Sequence, residues 1–163
     1  MALVTVSLGS NIDAERHLQL AVQALHQHYA PLTLSPVYQT EAVGFDGDDF
    51  LNMVASFESD EQPHALGKAL KSIEDDIGRD RDQPRFSARV IDLDLLTIDD
   101  MVIDEQGVQI PRHEITENAF VLKPLSDIHG ELVHPVLNES YLELWNRMAP
   151  DAGRIELYPM QFD

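Results

Sequence analysis

The chain contains no cysteine, so neither a disulfide nor a thiolate zinc site can form. Lysine is nearly as scarce. Lys68, Lys71 and Lys123 are the only three, and lysine plus arginine total 11 against 29 acidic residues. The formal charge of -18 repels a nucleic-acid backbone and disfavours an anionic membrane, so neither is expected as a partner. No apolar run approaches the ~18 residues that span a bilayer. The N-terminus enters a strand-like run with no basic flank or signal-type cleavage site, which makes a cytoplasmic location the expectation. No Walker A loop is present, which excludes a P-loop enzyme. The seven histidines show neither an HExxH pair nor metal-ligand spacing, and His26 and His28, two apart on a helix, face apart and read as surface positions. Repeats, low-complexity segments and linkers are absent, and 163 residues fit one domain. The acidity itself has two readings, adaptation to high salt or simple solubility.

Against this shortage of cations, one segment stands out. Four of the 11 lie between Arg79 and Arg89: Arg79, Arg81, Arg85 and Arg89. They precede the strand-like run Val90-Ile91-Asp92-Leu93-Asp94-Leu95-Leu96. Side chains alternate along a strand, so Asp92 and Asp94 point the same way, roughly 7 Å apart, while Ile91, Leu93 and Leu95 point into the core. Two such carboxylates suit Mg²⁺, and guanidinium groups fork onto phosphate oxygens. Together they point to chemistry on a nucleoside triphosphate. An acid-x-acid pair alone is weak, since about five are expected by chance at this composition. The apolar strand and the four arginines give this one its meaning. The mixed-charge loop reads as a mobile lid bringing Arg79, Arg81 and Arg85 over a triphosphate, although each arginine alone could be a surface salt-bridge partner.

Periodicity predicts an α+β domain. Ala2–Leu8 reads as a strand and Asp13–His28 as a helix, with Asp13 as N-cap and Leu18, Ala21, Val22 and Leu25 buried. Thr33–Thr40 is a second strand, with Pro36 marking an edge or bulge. Glu41–Asp49 is a loop, and Phe50–Glu58 is a third strand with Leu51, Met53, Ala55 and Phe57 on one face. Pro63–Ile77 is a helix stopped by Gly78, and Val90–Ile98 is a fourth strand. This order is a ferredoxin-like βαββαβ core. The C-terminal extension holds a hairpin around Met101–Ile103 and Val108–Ile110, a short element near Phe120–Ile128 and a helix near Ser140–Met148. Asn52 interrupts an apolar strand on the parity of Phe50. An amide and an aromatic ring can read and stack a planar heterocycle, but taken alone these two better describe a satisfied core amide beside a core aromatic.

Several ordered motifs give the chain a resemblance over nearly its full length to the 6-hydroxymethyl-7,8-dihydropterin pyrophosphokinases of folate biosynthesis. They are Val6-Ser7-Leu8-Gly9-Ser10-Asn11, Ser35-Pro36-Val37-Tyr38-Gln39-Thr40-Glu41, Phe50-Leu51-Asn52 and Phe120-Val121-Leu122-x-Pro124-Leu125. The most specific is Gly78-Arg79-x-Arg81-x₃-Arg85-Phe86-x₂-Arg89-x₂-Asp92-Leu93-Asp94. The resemblance implies a ferredoxin-like fold, a monomer, and transfer of the β,γ-diphosphate of MgATP to the pterin hydroxymethyl group with release of AMP. It implies that Asp92 and Asp94 hold two Mg²⁺ ions. The pterin would stack between Phe50 and Phe120, hydrogen-bond to Asn52, meet backbone near Thr40 and Val43, and border Gly9, Ser10 and Asn11. Arg79, Arg81 and Arg89 match phosphate-contacting and lid arginines, with Arg85, Arg112 and Glu74 expected on the ATP side.

The chain departs from the family pattern in places. Pro111-Arg112 stands where a Pro-His pair is usual, with Arg112 keeping a positive charge. The family arginine just before the Phe120 position has only Glu117 and Asn118 in its place. The lid lacks a basic residue near Asp82 and has Phe86-Ser87-Ala88 where Trp-Gly-Pro is common. A lost charged phosphate contact amounts to ~1.5–3 kcal/mol. The competing expectations are a catalytically altered pterin- or nucleotide-binding paralogue and a ferredoxin-like regulatory module.

Overall fold

The computed structural model describes residues 1–41, 48–78 and 90–162. Its elements in chain order are β1 (Ala2–Ser10), α1 (Ala14–Tyr29), β2 (Thr33–Leu34), β3 (Val37–Thr40), β4 (Phe50–Ser59), α2 (Pro63–Gly78) and β5 (Asp92–Ile98). They continue with β6 (Ile103–Glu105), β7 (Val108–Ile110), α3 (Glu114–Glu117), α4 (Ala119–His129), α5 (Tyr141–Met148), a 3₁₀ turn and β8 (Ile155–Tyr158). The main sheet runs β5-β1-β4-β3-β8, with β2 also on β4, and every pairing in it is antiparallel. The mixed α and β composition with an antiparallel sheet agrees with the α+β expectation.

Strand alternation divides the apolar residues between two layers. Val4, Val6, Leu8, Leu51, Met53, Ala55, Phe57, Leu93 and Leu95 pack with Leu18, Leu25, Leu66 and Leu70 of α1 and α2 in the larger core. Val54 and Leu96 join Ile115, Val121, Leu122, Leu125, Tyr141 and Leu144 in a smaller core under α4 and α5. The β1–β5 register shifts between Thr5 and Val6, which pair with Thr97 and Leu95 and leave Leu96 as the extra residue. This bulge puts Leu96 into the smaller core and brings the Thr5 and Thr97 hydroxyls within 2.6 Å.

The local differences from expectation have identifiable causes. The predicted strand Thr33–Thr40 is split at Ser35-Pro36. Pro36 has no N–H to pair, and the Ser35 hydroxyl accepts from the Val54 N–H at 2.8 Å in place of a ladder carbonyl. Asp13 holds the N-cap position of α1 without capping it: φ is +45°, outside the extended backbone a side-chain cap needs, and its carboxylate lies 3.7 Å from Arg16. Ser140 does cap α5, accepting from the Glu143 N–H at 3.1 Å and donating to the Glu143 carboxylate. The short α3 and the closing strand β8 carry no periodic pattern long enough to read. β8 exists because it pairs with β3, with Leu157 left 67% exposed. Among the described residues no helix is long and apolar enough to cross a membrane.

Candidate active site

The sheet face opposite α1 and α2 becomes polar at one end. Two rows of cross-strand neighbours form its floor: Asp92, Gly9, Asn52 and Tyr38 across β5-β1-β4-β3, and Asp94, Ser7 and Val54 beside them. Thr40 and Phe50 pair next to the first row. A cavity of about 290 Å³ opens over these strands. Its lining includes Gly9, Thr40, Phe50, Asn52, Asp92 and Asp94 from the sheet, and Arg112, Glu114, Asn118 and Phe120 from the segment entering α4.

Each wall has a local cause. Asn52 is buried and donates its amide to the Thr40 hydroxyl at 2.9 Å, which fixes the carboxamide orientation. A Cβ on Gly9 would stand 3.0 Å from Asn52 Oδ1, tighter than ordinary contact, so a side chain here would press on the carboxamide. Phe120 lies in the first turn of α4, and α4 is tied down farther along. The Tyr38 hydroxyl donates to Asp127, Lys123 pairs with Asp127 at 2.8 Å, and the Lys123 ammonium sits 5.6 Å from the Trp145 ring centre. Burial, then the Asp127 hydrogen bond and charge, raise the Tyr38 phenol well above its usual range, so it stays a donor.

Asp92 and Asp94 are half-buried, with Leu93 and Leu95 buried between and beyond them, as alternation requires. Among the described residues, Arg112 is a cation beside Asp94. Its guanidinium lies 3.7 Å from Asp94 and, through Nε, 2.7 Å from Glu114 Oε2. The second contact is an ion pair without hydrogen-bond alignment, and neither of those two buried atoms has a hydrogen-bond partner among the described residues. The Arg112 N–H donates to the Leu96 carbonyl at 2.9 Å, which anchors its backbone to β5.

A second hollow of about 170 Å³ lies on the other side of Asp94 and Arg112, lined also by Lys71, Glu74 and the β7 segment. Glu74 accepts from the Leu93 N–H at 2.7 Å, satisfying a backbone donor on the sheet's outer strand.

The placement of the predicted residues is uneven. Gly9, Thr40, Phe50, Asn52, Asp92, Asp94, Arg112 and Phe120 meet at the first cavity, and Glu74 lies at the second. Ser10 lines neither. It sits on the opposite parity from Gly9 and is buried, with its hydroxyl donating to the Val90 carbonyl at 2.5 Å. Asn11 has left the strand; it donates to the Asp48 carbonyl at 3.4 Å and borders a separate open groove. Arg79, Arg81, Arg85, Arg89 and Val43 lie outside the described residues. Sequence reasoning did not select Ser7, Glu41, Leu96 or Glu114 as lining residues. Ser7 and Leu96 carried a signal, each being two residues from a selected position on the same strand.

Two half-buried carboxylates fit Mg²⁺ better than a cation that demands a full protein cage. Among the described residues no group of three or more histidines or acids could hold a metal. Mg²⁺ needs only one or two carboxylates, because water and substrate phosphate oxygens complete its octahedron.

Comparison with known proteins shows the family of this chain. The family model described as 7,8-dihydro-6-hydroxymethylpterin-pyrophosphokinase (HPPK) matches residues 5–130. The 2-amino-4-hydroxy-6-hydroxymethyldihydropteridine pyrophosphokinase of Bacillus subtilis is 37% identical over 127 residues, covering 76% of this chain and 75% of that protein. The Pseudomonas aeruginosa protein of the same name is 34% identical over 136 residues, covering 81% and 83%. Among solved structures, wild-type HPPK-DHPS of Plasmodium falciparum superposes with a TM-score of 0.74 at 14% identity, covering 94% of this chain and 46% of that one. The chain therefore spans less than half of that two-part protein, and the likeness concerns the fold. The family match over most of the chain and the relatives matched over 75% and 83% of their length carry the assignment: this chain belongs to the 7,8-dihydro-6-hydroxymethylpterin-pyrophosphokinase family.

Proposed function

We propose that the chain transfers diphosphate from MgATP to 6-hydroxymethyl-7,8-dihydropterin and releases AMP, a step of folate biosynthesis. The observation that carries this reading is the convergence of Asp92 and Asp94 with Asn52, Phe50 and Phe120 on one cavity. The adjoining hollow, which shares Asp94 and Arg112, gives a nucleotide somewhere to lie with its phosphates directed at the first cavity.

In this reading the pterin ring stacks on Phe50 and Phe120, and its heteroatom edge meets the Asn52 carboxamide. Thr40 holds that carboxamide in place, and Gly9 leaves room for it. The hydroxymethyl oxygen attacks the β-phosphorus in line and gives up its proton to water, the bond from the β-phosphorus to the oxygen bridging to the α-phosphate breaks, and AMP departs with that oxygen. Asp92 and Asp94 would hold two Mg²⁺ ions, which when bound neutralise phosphate charge and acidify the alcohol. Arg112 faces the phosphates from the wall between the two hollows. Arg79, Arg81, Arg85 and Arg89 are assigned to the phosphates from their sequence pattern. The sheet order β5-β1-β4-β3 supports a ferredoxin-like βαββαβ core, with the residues from β6 onward as a C-terminal extension. The assignment as one monomeric, cytoplasmic domain rests on the sequence reading alone.

The test is the identity of the nucleotide product. With ATP, the pterin and Mg²⁺, AMP should appear in step with the pterin diphosphate. ADP would replace this reading with a simple kinase, and binding without turnover would replace it with an altered paralogue.

A further inference from the structure

We propose that Arg112 is a resident counter-ion for Asp94, standing in for a divalent cation until a nucleoside triphosphate draws it away. This inference deepens the pyrophosphokinase reading and rests on it. Its consequence is an order of events: metal enters with the nucleotide and is resisted in its absence.

Four observations carry it. Arg112 is the wall shared by the two hollows, so its side chain reaches either one. Its guanidinium lies 3.7 Å from Asp94, an ion contact too long for a hydrogen bond. Its other contact, Nε to Glu114, is close at 2.7 Å but not aligned, and both atoms lack a hydrogen-bond partner among the described residues. Its backbone, in contrast, is fixed by the Leu96 carbonyl. The head group is held by charge alone on an anchored stem, so its position is inexpensive to change.

The electrostatics follow from that geometry. Asp92 and Asp94 share one face of a strand roughly 7 Å apart and repel each other. A guanidinium beside Asp94 offsets that repulsion. A bare dication approaching Asp94 must either displace Arg112 or bear its repulsion. A triphosphate offers the guanidinium two parallel oxygens, a better partner than a carboxylate at 3.7 Å. Once Arg112 turns to the phosphates, its positive charge no longer opposes a metal ion at Asp94. Nucleotide and metal therefore favour each other's binding, and the coupling is reciprocal.

The test is a titration of nucleotide-free protein with Mn²⁺, followed by the electron paramagnetic resonance of free Mn²⁺ and by the thermal shift the ion produces. Arg112→Gln should bind Mn²⁺ roughly three- to tenfold more tightly than wild type, a range set by one partly exposed charge pair. Arg112→Met, which keeps the packed stem, should do the same and covers a folding failure of the first variant. Arg112→Lys keeps the charge and should stay near wild type. Asp94→Asn should abolish the gain when combined with Arg112→Gln. Unchanged Mn²⁺ affinity in both neutral variants overturns the proposal. So does a lysine variant as tight as the glutamine one, or a gain that survives Asp94→Asn. None of these readouts involves turnover, so the proposal and the pyrophosphokinase reading can fail separately.

Discussion

The two faces of the central sheet are made by the same strands and do different work. The face on α1 and α2 is closed by residues such as Val4, Val6, Leu8, Met53 and Leu93, all buried. The face on α4 and α5 starts with a small apolar cluster around Val54 and Leu96, then gives way to Gly9, Asn52, Asp92 and Asp94. Gly9, Asn52, Asp92 and Asp94 each have a buried apolar neighbour one position along the strand that points the other way. Burial of those neighbours, about 1.5–3 kcal/mol for each large aliphatic side chain, holds the strands that display two carboxylates and a constrained amide. The stable face fixes the geometry, and the polar face uses it.

Substitutions on each face should separate function from stability. The largest effect belongs to Asp94→Asn, which should lower AMP formation by at least ~100-fold with the melting temperature hardly changed, as read by product assay and calorimetry. Loss of activity in proportion to loss of fold would blur the division between faces. On the other side, Leu18→Ala removes a side chain with no exposed surface and should lower stability by ~2–5 kcal/mol in denaturant titration. The folded fraction should retain its KM for pterin. Gly9→Ala falls between the two. A methyl group 3.0 Å from Asn52 Oδ1 should displace the carboxamide, raising the pterin KM by ~10-fold while stability changes by under ~1 kcal/mol.

The smallest effect is one of pH. His134, in the turn before α5, is buried, and its Nδ1 accepts from the Val136 and Leu137 N–H groups. Burial holds its pKa below the ordinary imidazole value, and the same is true of His129, whose burial outweighs the charge of Glu131. The unfolded chain takes up protons that these folded imidazoles resist. Their contribution is therefore complete above the unfolded value near ~6.5 and declines as pH falls through it. The melting-temperature difference between wild type and His134→Asn should shrink by a few degrees between about pH 7.5 and 5.5. A constant difference would show that His134 contributes packing only. The readout is the difference between the two proteins because the many carboxylates titrate in both.

Much of the site was legible because its signals are local. The parity of Asp92 and Asp94, the amide at Asn52 and the apolar stripe of α1 are each readable within one turn or one strand. Ser10 and Asn11 show where that stops. They adjoin Gly9 in sequence, but a single step along β1 reverses the side chain, and the next leaves the strand. Glu114 came within reach only through the turn that joins the hairpin to α4 and stacks it beside Arg112. β8 was hidden for a related reason: with Leu157 exposed, its four residues become a strand by pairing with β3, more than a hundred residues away.

The sequence by itself determined the order of the main strands and helices up to β5, the buried parity and the residue types able to handle a phosphorylated nucleotide and a flat heterocycle. Those follow from backbone periodicity and side-chain chemistry, which act over a few residues. Tertiary structure alone decided which groups share a cavity, that Gly9 must yield its space to Asn52, and that Arg112 stands between Asp94 and Glu114. Those depend on close approach between distant segments, and charge and contact forces act on distance in space whatever the separation along the chain.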